Sequence, residues 1–457
     1  MKAIVAVFSK VFRGQSVASR VMQSSVLTAL SYGAQQALRL GSNLILARLL
    51  YPEAFGMMAL VSVFLIGLQM FSDAGISPSI MQSPRGDDQD FLNAAWTLQV
   101  IRGGLLWLAT LALAHPVAWL YKEPLLAQLL PVAGVALLVA GFNPTRIETE
   151  YRHLRALRVT GLDVAAQAIG IASVVVLSWW LQSVWGLVLG SIVGALAKLV
   201  LMDLFLPGPR NRLHLHRGDT SEILHFGKWI FLSSISGFLV LQGDKAVLGA
   251  YLPLAVLGIY NIGFFIGSFP GQLADVVMSR ILIPLYREAP PRDSPENARN
   301  VRRLRFLLSG TVLGLLGLFA LGGPALIGLL YDARYQAAGA VVVLIACAQM
   351  AGLVGKTYDQ AALAHGDSRG FFVVVTIRAV VQTLLLWLGA RYYGIVGALA
   401  GQALALTVVH LPVVRLARRH QVWHPLHDAL IGSCALLLAA AALWLHADQI
   451  RALAGLG

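Results

Sequence analysis

The sequence predicts an all-α integral membrane protein, and its composition, its apolar runs and its loop charges all indicate this class. Hydrophobic residues make up 57% of the 457 residues, and charged residues make up only 12%. A soluble protein carries roughly 25% charged residues. The chain therefore lacks the charges to cover a soluble surface, and we expect lipid to be its solvent.

The apolar runs are long enough to cross a bilayer, which takes about 20 apolar residues in a helix. We count thirteen of them and predict about 12–14 transmembrane helices. The thirteen runs are 28–49, 54–74, 94–114, 125–143, 161–181, 185–206, 226–250, 255–279, 306–330, 338–363, 371–392, 395–414 and 428–446.

Basic residues predict the orientation, because cytoplasmic loops retain Lys and Arg. On alternate loops lie 23 of the 35 basic residues, and the opposite side and its margins hold five. This places the N-terminus and the main basic loops in the cytosol. The net charge of +13 is then a topology signal, and we expect no nucleic-acid partner. The 23 residues fall within 2–20, 85, 146–158, 210–217, 280–305, 369 and 415–419.

A weak internal repeat predicts two lobes. A shift of 202 residues places Gly56 on Gly258 and Asp73 on Asp275, and a shift of 208 aligns 185–196 with 393–404. Repeats of six spans each would be parallel and pseudo-symmetric around a central cavity, which is a transporter architecture. The predicted parts are a cytosolic or interfacial arm (1–24), an N-lobe (25–206), a cytosolic linker (207–225), a C-lobe (226–420) and an extra C-terminal helix (421–457).

Charged and amide side chains lie inside the predicted spans, where each needs a partner or a wet cavity. Basic residues exceed acids there, which favours a cationic cleft for an anionic substrate, since guanidinium groups bind phosphate or carboxylate bidentately. The candidate substrate-binding residues are Arg39, Arg102, Lys245, Lys356, Arg378, Gln36, Asn43 and Gln382. The candidate ion-coupling or gating acids are Asp73, Asp244, Asp275 and Asp359, although Asp73 and Asp275 could equally be structural.

The sequence contains no motif for metal binding or for nucleotide hydrolysis. The two cysteines lack metal-ligand spacing, and no phosphate-binding loop of the G-x-x-x-x-G-K-[ST] type occurs. The histidines at 214–216, 424 and 427 are interpreted as solvated loop residues. We therefore expect neither an enzyme nor a metal or cofactor, and a proton or sodium gradient could supply the energy.

The segment "LILARLLYPEAFGMMALVSVFLIGLQMFSDAGISPSIMQ" (Leu44–Gln82) resembles the first two helices of bacterial Wzx-type polysaccharide flippases of the MOP exporter superfamily. The family motif "ARLL-x-P-x-x-F-G" corresponds to Ala47–Gly56, and "D-x-G-(I/L)-x-x-x-(I/L)-x-Q" corresponds to Asp73–Gln82. The loop 143–157 is similar to the family's basic loop between its fourth and fifth helices.

The resemblance implies a multi-pass flippase of the bacterial inner membrane. Such a protein moves undecaprenyl-pyrophosphate-linked oligosaccharides to the outer leaflet by alternating access, for exopolysaccharide, capsule or O-antigen synthesis. Its partners would be this substrate, membrane lipids and, as further candidates, a polysaccharide polymerase and a chain-length regulator. Alternatives are a peptidoglycan-precursor flippase and a cation-coupled multidrug exporter of the same superfamily. The tight "YPE" turn at 51–53 would make the first two spans one rigid element.

Overall fold

The computed structural model describes residues 17–73, 75–214, 217–288 and 290–456, and it describes side chains from residue 33 onward except those of 215–232. All regular structure in these residues is helical. The helices are α1 (Val17–Leu49), α2 (Pro52–Phe71), α3 (Ile76–Gln82), α4 (Gln89–Tyr121), α5 (Leu126–Gly141), α6 (Arg146–Arg152), α7 (Ala156–Leu181), α8 (Val184–Phe205), α9 (Arg217–Tyr251), α10 (Leu254–Gly267), α11 (Phe269–Glu288), α12 (Pro295–Leu330), a 3₁₀ turn (Ala333–Tyr335), α13 (Ala338–Ala364), α14 (Ser368–Arg419), α15 (Pro425–Leu445) and α16 (Ala447–Ala454).

The predicted all-α membrane fold is confirmed, but the count of thirteen spans is not. Within the described residues, eight helices are long and apolar enough to cross a bilayer, and two bent pairs raise the number to ten. The pair α5 and α6 bends by 57°, and the pair α10 and α11 bends by 41°. The 52-residue α14 takes in two of the predicted spans and loses helical geometry between them, at Tyr393 and Gly394.

Two helices begin earlier than the sequence suggested. The backbone is helical from Val17, inside the predicted arm 1–24, and from Arg217, inside the predicted linker 207–225. Both extensions are polar at their starts, so the apolar runs alone could not locate these helix ends. Residues 1–16 of the predicted arm lie outside the described residues.

The chain divides into two compact units. The first comprises the residues up to Leu50 together with Phe64–Ser234, and the second comprises Tyr51–Val63 and Ile235–Gly457. The divisions therefore fall after α1, inside α2 and inside α9. That the 51–53 turn makes the first two spans one rigid element stays a prediction, although Tyr51–Val63 packs with the second unit and the residues up to Leu50 pack with the first.

The first unit contains a backbone break that explains the Asp73–Gln82 motif. The Asp73 carboxylate accepts a hydrogen bond from the Gly75 amide at 2.9 Å. Gly75 has a left-handed φ of 65°, which glycine adopts without a Cβ clash, and α3 begins at the next residue. Ile76 and Ile80 of α3 are buried against Phe91. The motif thus turns the chain out of α2 and packs the short helix that follows.

In the second unit, the start of α2 meets α10 through two glycines. A Cβ at Gly56 would collide with the Leu254 carbonyl, and a Cβ at Gly258 would collide with the Pro52 carbonyl. These contacts are reciprocal, because adding 202 to Pro52 and Gly56 gives Leu254 and Gly258. The repeat seen in the sequence therefore forms a self-complementary helix crossing, which requires residues without side chains at the contact.

Candidate functional site

One turn of α13 carries two predicted site residues, and each forms an ion pair with another. The Lys356 ammonium lies 2.6 and 2.7 Å from the two Asp275 carboxylate oxygens, on α11, and 3.3 Å from the Gly271 carbonyl. The Asp359 carboxylate accepts from the Arg378 guanidinium of α14 at 2.8 Å. Four residues that the sequence assigned separately therefore meet as two pairs within the second unit.

The two pairs differ in exposure. The Asp275 side chain is 58% exposed and that of Lys356 is 21% exposed, so an incoming group could reach this pair. The Asp359 and Arg378 side chains are 12% and 23% exposed. Within the described residues, Asp359 Oδ1 and Arg378 Nε are buried without a hydrogen-bond partner. Buried polar atoms of this kind are costly, which makes the second pair sensitive to the loss of either member.

A second group of predicted residues lies between α9, α10 and α14. Asp244 is 3% exposed and accepts from the Tyr260 hydroxyl, and its Oδ1 has no hydrogen-bond partner among the described residues. The neighbouring Lys245 ammonium lies 5.1 Å from the centre of the Phe264 ring. The buried Gln382 of α14 donates to the Val240 carbonyl at 3.4 Å. Gln382 thus contacts the same helix, α9, that carries Asp244 and Lys245.

The remaining predicted residues belong to the first unit. Gln36, Arg39 and Asn43 share one stretch of α1, with Arg39 exposed and the other two half-buried. Arg102, on α4, donates from Nε to the Ser72 hydroxyl at 2.8 Å and from Nη2 to the Gln69 carbonyl at 2.6 Å. These bonds hold its guanidinium against the end of α2, where Asp73 lies.

The two acids related by the 202-residue shift have different local backbones. Asp73 follows the end of α2 and caps the turn at Gly75, whereas Asp275 lies inside α11 and pairs with Lys356. The 202-residue shift therefore aligned two carboxylates with different structural roles, one in a turn and one in an ion pair. Val277 stands two residues after Asp275, where the first motif has Gly75, and α11 continues through it.

A buried polar cluster that the sequence pattern did not indicate lies beside the α13 ion pairs. Tyr358 donates to Asp428 Oδ1 at 2.5 Å, and Asp428 Oδ2 also lies 3.2 Å from His410 Nε2. The Arg305 guanidinium is 2% exposed and lies 4.4 Å from the centre of the Tyr358 ring. The solvated-loop interpretation is wrong for His427, which is fully buried in the first turn of α15 and lies 3.0 Å from the Ser309 hydroxyl.

Some predicted topology arginines also have structural roles. Arg152, on α6, donates to the carbonyls of Ile80, Met81 and Ser83, which lie at the C-terminal end of α3. The same arginine contacts Asp87, which also bonds His153 at 2.8 Å. The hydrogen bond with His153 holds the pKa of Asp87 below its ordinary value, and the charges of His153 and Arg152 act in the same direction.

Comparison with known proteins identifies relatives in bacterial polysaccharide synthesis. A family model described as "Polysaccharide biosynthesis protein" matches residues 45–364. Over 291 residues the chain is 24% identical to the lipopolysaccharide biosynthesis protein WzxC of Escherichia coli (strain K12), covering 63% of this chain and 56% of that protein. Over 374 residues it is 24% identical to the succinoglycan biosynthesis transport protein ExoT of Rhizobium meliloti (strain 1021), covering 80% and 73%.

Solved structures share the fold at low identity. The lipid II flippase MurJ in an inward closed conformation gives a TM-score of 0.65 at 12% identity, covering 94% of this chain and all of that one. An inward-facing multidrug resistance MATE transporter of the MOP superfamily gives 0.62 at 15% identity, covering 85% and 94%. The resemblance predicted from residues 44–82 is thus confirmed. Because the family model matches well over half of the chain, the protein belongs to the polysaccharide biosynthesis protein family, on the fold of MOP-superfamily transporters.

Proposed function

We propose that the protein is a flippase of the bacterial inner membrane. It moves undecaprenyl-pyrophosphate-linked oligosaccharide units from the cytoplasmic to the outer leaflet by alternating access, for surface polysaccharide synthesis. The observation that carries the proposal is a polysaccharide biosynthesis family model matched on the fold that MurJ, a lipid flippase, also has. The names of WzxC and ExoT support the same pathway.

The paired cations give this substrate a binding mechanism. A pyrophosphate has only acceptor oxygens at neutral pH, so it competes with carboxylates for Lys and Arg donors. Because Asp275 is exposed, a pyrophosphate can replace it as the partner of Lys356, and one ion pair is then exchanged for another. Arg39 and Arg378 would supply further donors to the pyrophosphate, and Arg102 would donate to another part of the substrate. The polyprenyl tail stays in lipid, where it needs no polar contacts.

Transport against a gradient needs an energy source, for which we propose a proton or sodium gradient. Asp244 is the acid that best suits this role, because its carboxyl is buried and one of its oxygens lacks a hydrogen-bond partner in the described residues. A proton or a cation at that oxygen would remove the cost of burying the charge. The other candidates are Asp73, Asp275 and Asp359. Asp275 and Asp359 are already paired with cations, and Asp73 caps the turn at Gly75.

Deletion of the gene in its host tests the proposed function against its alternatives. We expect loss of surface polysaccharide and accumulation of the lipid-linked oligosaccharide, both restored by the native gene. Intact polysaccharide with cell lysis would instead identify a peptidoglycan-precursor flippase. Intact polysaccharide with increased drug sensitivity would identify a multidrug exporter. A polymerase and a chain-length regulator, which we propose as partners, would be recovered by crosslinking in the same host.

The cationic residues are tested together in that host. We expect the quadruple change of Arg39, Arg102, Lys356 and Arg378 to Gln to abolish polysaccharide production at matched expression. Each lost charge-assisted contact is worth about 1.5–3 kcal/mol, or roughly ten- to hundredfold in affinity. Arg39→Lys keeps the charge and should retain part of the function, whereas Arg39→Gln should not. Full function of the quadruple variant would refute the cationic mechanism.

A further inference from the structure

The first unit contains a cavity of about 450 Å³ between α2, α3, α4, α5, α6 and α8. Its volume lies in the range of about 300–1,000 Å³ that is usual for ligand sites. Gly103 and Gly141 form part of its wall, where α4 and α5 cross so closely that a Cβ on either would lie about 3.0 Å from the other backbone. The cavity therefore has a wall of bare backbone on one side.

The charges that line this cavity are balanced. Two carboxylates, Asp73 and Glu148, face the same space as two cations, Arg102 and Lys198. Lys198 is already paired with Asp163 at 2.8 Å, and Arg102 is held by Ser72 and the Gln69 carbonyl. Amide and hydroxyl groups complete the polar lining, from Gln69, Gln99, Asn143 and Ser77.

The lining of this cavity disfavours the pyrophosphate of the substrate and suits its sugar. A pyrophosphate would face two carboxylates that repel it and two cations whose charges are already partly used. A sugar hydroxyl both donates and accepts, so it can bind a carboxylate and an arginine at once. The apolar side chains of Leu106, Leu137 and Ile147 provide the surface that the C–H face of a sugar ring needs.

We propose that this cavity binds a neutral sugar of the lipid-linked oligosaccharide and does not hold its pyrophosphate. The inference rests on the proposed function. It divides the recognition of the substrate between two places: sugar hydroxyls in the first unit, and phosphate at cations elsewhere. Glu148 and Gln69 then become specificity-determining residues.

Binding of defined probes to the purified protein in nanodiscs tests this site. The probes are the neutral fragments released by partial acid hydrolysis of the polysaccharide that depends on the gene, and inorganic pyrophosphate. We expect saturation-transfer NMR to detect the fragments on the native protein. Glu148→Gln replaces a charged acceptor by a neutral amide, and Gln69→Leu removes an amide from the cavity wall. We expect each change to weaken fragment binding about tenfold. Glu123→Gln, the same chemical change outside the cavity, should leave it unchanged.

Pyrophosphate separates the two possible ligands by the sign of the effect. If the cavity holds sugar, Glu148→Gln leaves the pyrophosphate affinity unchanged. If it holds phosphate, removing a repelling carboxylate strengthens pyrophosphate binding, and the proposal is overturned. It is also overturned if no fragment binds, or if both variants bind fragments like the native protein. Because the deletion phenotype does not depend on the cavity, polysaccharide loss without fragment binding would refute this inference alone.

Discussion

His424 is a single residue whose protonation should control the start of a helix. Its Nδ1 accepts from the His427 amide at 3.1 Å, as the N-cap of α15. Burial lowers the pKa of His424 below its ordinary value of 6.5, and the charges of Arg305 and Arg302 lower it further. The cap needs the neutral ring, because a protonated Nδ1 cannot accept.

We therefore expect stability to fall as the pH drops below about 6.5, where the unfolded state takes up the proton more readily than the folded state. Above that pH, His424 is neutral in both states and contributes no pH dependence. Thermal unfolding in detergent between pH 7.5 and 5.5 would measure this loss. His424→Asn keeps an acceptor without a titrating ring, so its unfolding temperature should depend less on pH. The exposed His214→Asn serves as the control, and an equal slope in His424→Asn and the native protein would contradict the prediction.

The Arg378–Asp359 pair is the second test at this scale. Because both side chains are largely buried, removing one partner leaves the other without compensation. Arg378→Gln or Asp359→Asn alone should lower the free energy of unfolding by on the order of 3 kcal/mol. The double variant should recover much of that loss, which denaturant unfolding would measure. Additive losses would show that the pair carries no coupling.

At the scale of elements, the glycine crossing between α2 and α10 should tolerate no side chain. Gly56→Ala and Gly258→Ala each place a Cβ on the opposite backbone, so we expect each to cost about 1–3 kcal/mol of unfolding free energy. Gly41→Ala is the control, since open space surrounds that position on α1. It should be neutral or stabilising by up to about 1 kcal/mol. Equal shifts in unfolding temperature at all three positions would refute the close crossing.

Helix α13 is the element that gathers the polar contacts of the second unit. Within four consecutive residues, Lys356 reaches α11, the Thr357 carbonyl accepts from Tyr286, Tyr358 reaches α15 and Asp359 reaches α14. A single turn thus connects two candidate substrate-site pairs to the buried cluster around Asp428. Periodicity along α13 could indicate which residues share a face, but not which helices those faces would meet.

At the scale of the whole molecule, the membrane topology remains a prediction. We expect a cysteine at Glu53 to be labelled from outside the cell and a cysteine at Arg292 only from the cytosol, because the basic loops mark the inner side. Both positions are exposed, so the reagent can reach them. Labelling of intact and lysed spheroplasts, in a variant without Cys347 and Cys434, would measure this. Labelling of both from the same side would contradict the topology.

The sequence by itself determined that lipid surrounds the chain, that the chain is helical and that it resembles a known family. Lipid forces backbone groups to pair within each helix, so long apolar runs with few charges already predict membrane helices. The motifs at 47–56 and 73–82 each contain a residue that the local backbone requires. These are Pro52, which begins α2, and Gly75, which has a left-handed conformation, and both can be read from the sequence. The 202-residue shift also aligned Gly56 with Gly258, although their crossing is seen only in the structure.

Only the tertiary structure decided which polar groups meet. The sequence showed an excess of buried cations, but it could not show that Lys356 pairs with Asp275 or Arg378 with Asp359, because these partners lie on different helices. The same holds for Glu148 and Lys198, which face one cavity from α6 and α8. Charge at membrane depth demands a partner, and the identity of that partner depends on helix packing, which local sequence does not encode.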